Sequence, residues 1–157
     1  MAGETRRIKV SLIEDQPVAE RVRGSLQTFI SELAVPQKVE LAAKGNREVR
    51  QILSRDTNTM VARAVILSPR LSVGDVESYA ASPLTNEEVL REIGANKEWM
   101  SNLKLVKSLV SNPRTPVTVS MRHLVHLPMA ELKLLSKNRS IQAVVRREAH
   151  RLVIRRR

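Results

Sequence analysis

The residues of this chain whose types could do chemistry are three histidines, an acidic pair at Glu14–Asp15, a lone tryptophan and a terminal run of arginines. His123 and His126 stand three apart on an expected helix, a spacing at which two imidazoles can share a metal. A catalytic zinc needs a third protein ligand, usually His, Glu or Cys. Between His126 and Glu148 the only acidic residue is Glu131, and it falls where a first helical turn favours negative charge. The two histidines therefore read as helix surface, and His150, set among arginines, reads as part of a basic face. The absence of cysteine excludes disulfides, thiolate zinc sites and cysteine nucleophiles. The five glycines form no GxGxxG or GxxxxGK phosphate loop, and no serine sits in a GxSxG turn. Glu87–Glu88 is explained by helix capping. No catalytic residue, metal or small-molecule cofactor is expected.

The acidic pair carries a likeness of its own. The stretch IKVSLIEDQPVAERVRGSL resembles the first strand and helix of a response-regulator receiver domain, with Ile8, Val10 and Leu12 alternating and Glu14–Asp15 where such domains hold a metal. Such a domain also needs a phosphoacceptor aspartate ending a buried strand. The next candidate, Asp56, lies in the polar turn SRDTNT. A lone motif without its structural context carries little weight, so residues 1–16 read as a short extended arm leading into a helix.

Charge makes a stronger statement. Residues 1–97 hold 14 Lys+Arg and 13 Asp+Glu, whereas residues 98–157 hold 13 and 3. Asymmetry of this kind points to an anionic partner. In the terminal stretch RSIQAVVRREAHRLVIRRR, Ile141, Val144, Val145, Ala149, Leu152 and Val153 form one apolar stripe at helical spacing. Arg147, Arg151 and Arg155 repeat at every fourth position on another face, flanked by Arg146, Arg156 and Arg157, and Lys133, Lys137 and Arg139 extend the patch. The planar arginine fork suits phosphate. Stacking aromatics are absent nearby, so recognition through bases is not expected. The partner is RNA or DNA, or a ribonucleoprotein, with an acidic protein surface as the alternative. A membrane surface fits less well, because the stripe is committed to a core.

Those residues have to be positioned by helices. Phe29, Tyr79 and Trp99 are the whole aromatic set, and a core of Leu, Val, Ile, Ala and Met suits helix-on-helix packing rather than a sandwich or barrel. The chain is 157 residues long; chains near this size bury roughly 68–70% of their unfolded surface in one domain. Its start lacks the pattern of a secretory signal, and its apolar runs fall far short of the roughly 20 residues that span a bilayer. A cytoplasmic protein without membrane insertion is expected.

Helix punctuation supports the same reading. Ser72 with Asp75, and Thr85 with Glu88, are spaced as N-caps with their answering residues, stapled by Leu71–Val76 and Leu84–Val89. Thr115 with Pro116 marks another start, and Gly45 and Gly94 mark ends. Helices are expected near 17–34, 37–44, 47–54, 60–67, 73–81, 86–93, 97–110, 116–126, 129–136 and 141–154. The one at 97–110 is apolar around most of its circumference and should be buried, with Trp99 as a core anchor. The chain also corresponds to itself. Sliding Leu53 onto Leu109 lays 53–93 on 109–149 without a gap, so that Val61 meets Val117 and Val89 meets Val145. Each unit of that length should hold three or four short helices.

The stretches KGNREVRQILSRDTNTMVARAV, ANKEWM and LVSNPRTPVTVSMRHL resemble the short-helix units of HEAT-like and leucine-rich-repeat-variant proteins, including uncharacterised bacterial proteins of that build. The likeness covers about residues 36–151 and concerns packing, not chemistry. It implies an all-α, short right-handed solenoid of antiparallel helices over 17–157, ending in the basic helix 141–154 and acting as a non-enzymatic binding module or protein scaffold. Some HEAT-like proteins are DNA glycosylases with an acidic residue beside lesion-contacting aromatics, which makes Glu98–Trp99 the remote enzymatic alternative.

Overall fold

The computed structural model describes residues 20–157, with side chains from residue 24 onward. The expected arm over 1–16, its alternating segment and Glu14–Asp15 lie outside the described residues. Ten α-helices follow: α1 (Glu20–Ser31), α2 (Val35–Lys44), α3 (Arg47–Leu53), α4 (Thr59–Ile66), α5 (Val73–Ala81), α6 (Glu87–Ala95), α7 (Leu103–Ser111), α8 (Val117–Leu124), α9 (Met129–Lys137) and α10 (Ala143–Arg155). A single 3₁₀ turn, Trp99–Ser101, precedes α7. No strand occurs among the described residues.

Side chains ahead of five of the helices explain where they begin. Asn46, Asn58, Asn86 and Asn102 each accept a hydrogen bond from a backbone N–H in the first turn of α3, α4, α6 and α7, satisfying donors that a helix start leaves open. At α5 the expected capping box forms: the Asp75 N–H donates to Ser72 Oγ at 3.2 Å and the Ser72 N–H donates to Asp75 Oδ2 at 3.0 Å.

Two of the expected caps are corrected. Thr85 and Thr115 lie just ahead of α6 and α8 but are buried, and their hydroxyls donate back to the Tyr79 carbonyl at 2.8 Å and the Leu109 carbonyl at 2.6 Å. Each threonine thus locks a turn between two helices. Asn86 takes over the capping at α6, and Pro116 sits one position before α8 rather than inside it. Leu84 is 55% exposed.

The helices alternate in two series. One series, α3, α5, α7 and α9, starts at Arg47, Val73, Leu103 and Met129; the other, α4, α6, α8 and α10, starts at Thr59, Glu87, Val117 and Ala143. The steps from Arg47 to Leu103, from Val73 to Met129 and from Glu87 to Ala143 equal the step from Leu53 to Leu109 in the internal correspondence. One unit of that correspondence is therefore two consecutive helix pairs, four helices in all. Counted from each helix start, the first buried residue is the third in α3, α4, α6, α7, α8 and α10, at Val49, Val61, Val89, Leu105, Val119 and Val145, although α8 starts two residues later than the correspondence places it, so that Val61 falls on Val117 rather than on Val119.

Two compact units divide the chain, one ending at Asp75 and the other running from Val76 to Arg157. In the first, α2 packs on α3 and α4. Gly45 leads into α3 where an added Cβ would stand 2.6 Å from both the Leu41 carbonyl oxygen and Val49 Cγ1, so only glycine fits. Arg50 is buried: its guanidinium donates to the Gly45 carbonyl and to Asp75 Oδ2, both at 2.9 Å, while Arg47 Nε approaches Asp75 Oδ1 at 3.0 Å. Burial pushes the Asp75 carboxyl toward its neutral form. The Ser72 amide and the Arg50 guanidinium outweigh that, and the group titrates below its ordinary value.

In the second unit α8 packs on α6 and α7, and α10 packs on α8 and α9. Asn112 ties the turn after α7 to the one after α5, its Nδ2 donating to the carbonyls of Ala80 at 2.7 Å and Ser82 at 2.9 Å. The ion pairs Lys104–Glu77 at 2.9 Å and Lys107–Glu131 at 2.7 Å link α7 to α5 and to α9.

Three more expectations are corrected here. The helix expected over 97–110 is broken at Asn102, whose carboxamide caps α7 and stops the turn before it. Trp99 accordingly lies half-buried in the 3₁₀ turn, outside the core. Gly94 does not end α6. It is buried inside the helix where a Cβ would meet Val119 Cγ1 at 2.4 Å, so it is glycine because α8 passes close by.

Candidate functional site

The basic end is built by α10 and the end of α9. Helix α10 starts after Gln142, whose Nε2 reaches back to the Thr115 carbonyl at 3.1 Å and the Pro113 carbonyl at 3.4 Å. Val145, Ala149, Leu152 and Val153 then bury against Leu124, Leu127, Leu132 and Leu135. With that stripe turned inward, helical geometry leaves Arg147, His150, Arg151, Ile154 and Arg155 outward, and all five are exposed. Val144, expected on the stripe, is 45% exposed and belongs to the outer side.

Seven residues line an open concavity of about 540 Å³: Ser136, Arg146, Arg147, His150, Arg151, Ile154 and Arg155. Four of the nine expected anion-binding residues thus come together there. Lys133, Lys137 and Arg139 are exposed on α9 and the turn after it, outside the concavity, and Arg157 is exposed at the chain end. Arg156 departs from the displayed set. Its guanidinium donates to the carbonyls of Leu127, at 2.8 Å, and Val125, tying α10 to the end of α8. Ser136 and Ile154 are lining residues that the spacing did not single out. Ile154 could have been found as an apolar residue off the buried phase of its own helix.

The electrostatics of the face follow from what is missing around it. Glu148 is the only acidic residue of α10, and it lies 3.5 Å from Arg151 Nη1. The side chains of Arg146, Arg147 and Arg155 have no hydrogen-bond or ion-pair partner among the described residues. Arg147, Arg151 and Arg155 recur at every fourth position, a rise of about 6 Å each. Their charge is left facing solvent.

The histidine pair is dispersed. His123 is buried and its Nε2 donates to the Gly94 carbonyl at 2.7 Å, which corrects its expected place on the surface. His126 is exposed beyond the end of α8, and Glu131 is engaged by Lys107. No group of three His, Cys, Asp or Glu among the described residues is arranged to hold a metal. No helix there is long and apolar enough to cross a membrane. No protein-family model matches the chain, and no curated protein or solved structure is significantly similar to it.

Proposed function

We propose that the chain is a non-catalytic helical-repeat binding module, a short right-handed HEAT-like solenoid of the cytoplasm, whose basic C-terminal face takes an anionic macromolecule, the phosphate backbone of a nucleic acid above all. The observation that carries the reading is the row Arg147, Arg151 and Arg155, outward-facing and opposed by Glu148 alone. Guanidinium forks at this pitch suit a run of backbone phosphates, and such contacts position a duplex without reading its bases. The glycosylase alternative has little to stand on. Of the aromatics that would share a lesion pocket with Trp99, Tyr79 is fully buried.

Replacing Arg147, Arg151 and Arg155 together by Gln keeps helix propensity and leaves the buried stripe alone. The wild type should bind duplex DNA or RNA with a logarithmic salt slope set by the phosphates neutralised. In the triple variant that slope should fall by up to about 0.9 per lost contact, equally on every sequence. Equal slopes in the two proteins would remove these arginines from the site. Absence of wild-type binding at physiological salt would point instead to an acidic protein partner.

A further inference from the structure

The turns that follow α5, α7 and α9 form an edge of their own. Asn112, just after α7, donates to the Ala80 and Ser82 carbonyls at 2.7 and 2.9 Å. Gln142, just ahead of α10, donates to the Thr115 and Pro113 carbonyls at 3.1 and 3.4 Å. Each turn is thus tied by a side-chain amide to the backbone of the turn before it, and what the turns carry outward is held in a fixed row. The helices that lead into them end on Ala81, Ser111 and Lys137, all exposed. Two and three positions further on come Pro83–Leu84, Pro113–Arg114 and Arg139–Ser140, exposed as well. The first two turns stay exposed although another turn is bonded beside each, so the exposure belongs to the edge itself.

Charge changes along this edge. The turn after α5 carries no cation and leads into Glu87 and Glu88, whereas the turn after α7 carries Arg114 and the one after α9 is flanked by Lys137 and carries Arg139. No acidic residue occurs between Glu98 and Glu131, or between Glu131 and Glu148. The side chains of Arg114, Lys137 and Arg139 have no hydrogen-bond or ion-pair partner among the described residues. This row meets the arginine row at the start of α10. Arg147 is the fifth residue of that helix, so about one helical turn, 5.4 Å, separates it from the end to which Arg139 leads. From there the two rows diverge. One follows α10 through Arg151 and Arg155, and the other crosses to Arg114 on the neighbouring turn, at a spacing set by helices packed about 8–10 Å apart.

We infer that the turn edge is a second phosphate contact, which takes the other strand of a duplex whose first strand lies along Arg147, Arg151 and Arg155. The inference rests on the function proposed above and names its ligand as double-stranded. Two rows of cations that part from one point do not follow a single extended backbone. A duplex carries phosphates on both sides of grooves about 6 and 12 Å wide, which long Arg and Lys side chains from two rows can address together. No aromatic residue follows Trp99, so the edge lacks the stacking platform that single-strand binding uses.

The test titrates the full chain into a short labelled DNA duplex, and into one of its strands alone, by fluorescence anisotropy over a salt series. Changing Arg114, Lys137 and Arg139 to Gln should lower the logarithmic salt slope on the duplex by up to about 0.9 per lost contact and leave the single-strand slope unchanged. The same changes added to the Gln variant of Arg147, Arg151 and Arg155 should lower the duplex slope further by a like amount. Removing as many exposed cations elsewhere, with Arg91, Lys97 and Lys104 changed to Gln, should move neither slope. Circular dichroism melting checks that each variant is folded, and Arg114→Gln alone reads the edge should the triple variant not be. A wild-type duplex slope in the edge variants, an equal loss on the single strand, or an equal loss in the variant of Arg91, Lys97 and Lys104 would each overturn the inference and leave the α10 row in place. A wild type that binds no duplex would remove the proposed function and this inference together.

Discussion

Arg50 and Arg147 are the same residue type put to opposite uses. Arg50 is 3% exposed, and its charge is spent on Asp75 and the Gly45 carbonyl inside the first unit. Arg147 stands in solvent, without a partner among the described residues. The surroundings follow the same division. Residues 76–128 hold six basic and five acidic side chains, against nine and two in residues 129–157. Where acids are at hand, as for Lys104, Lys107 and Arg50, cations link one helix to another. Where they are withheld, the cations become a surface property. Charge therefore serves architecture in one region and, in the function proposed above, recognition in the other, and the two should respond differently to substitution.

The largest effect should come from the buried ion pair. Asp75→Asn strands the Arg50 guanidinium and should cost about 3–5 kcal/mol in urea unfolding. The Arg50→Met, Asp75→Leu double variant should recover much of that loss, because it removes the uncompensated charge. A cost under about 1 kcal/mol for Asp75→Asn would erase the distinction drawn above. The pair should also show in the acid limb. The folded Asp75 carboxyl titrates below its ordinary value of 3.8, so its stabilisation is complete above that value and is lost as pH falls through the folded one. Thermal melts from pH 6 to pH 2 should fall less steeply at the acid end in Asp75→Asn than in the wild type.

Next in size is Gly94→Ala. Its methyl would press on Val119, which is stiff at χ1, and displace the His123 bond, for an expected loss of about 1–3 kcal/mol. Unchanged stability would mean that α6 and α8 are not in close contact there. Trp99→Ala should cost about 1–2 kcal/mol, less than the usual 3–5 for a buried aromatic, because the half-buried ring empties no core site. The smallest effect belongs to the arginine row. Arg147, Arg151 and Arg155 changed to Gln should move stability by no more than about 0.5 kcal/mol per site. A larger loss would make these residues structural after all, and would sharpen the contrast differently: the basic end would then resemble Arg156, whose guanidinium holds α10 to α8.

Much of this was legible in the residues themselves. All-helical structure, the approximate extents of most helices, the capping box at Ser72–Asp75 and the outward row Arg147, Arg151 and Arg155 follow from composition, periodicity and spacing, since those features act within one or two turns of chain. The internal correspondence of Leu53 with Leu109 was legible too, although its division into two helix pairs was not. Thr85 and Thr115 look like caps to any local rule, and what decides otherwise is the neighbouring helix end whose carbonyl each hydroxyl meets. Gly94 looks like a stop until α8 is laid over it. His123 looks like surface until its ring is found against the Gly94 carbonyl, and Arg156 looks like one more displayed cation until its guanidinium is seen on Leu127. Local chemistry along the chain determined which segments coil and which charges are in surplus. Only the packing of helix on helix decided which polar side chains are buried and which glycines are indispensable, because those depend on atoms beyond the local turn of chain.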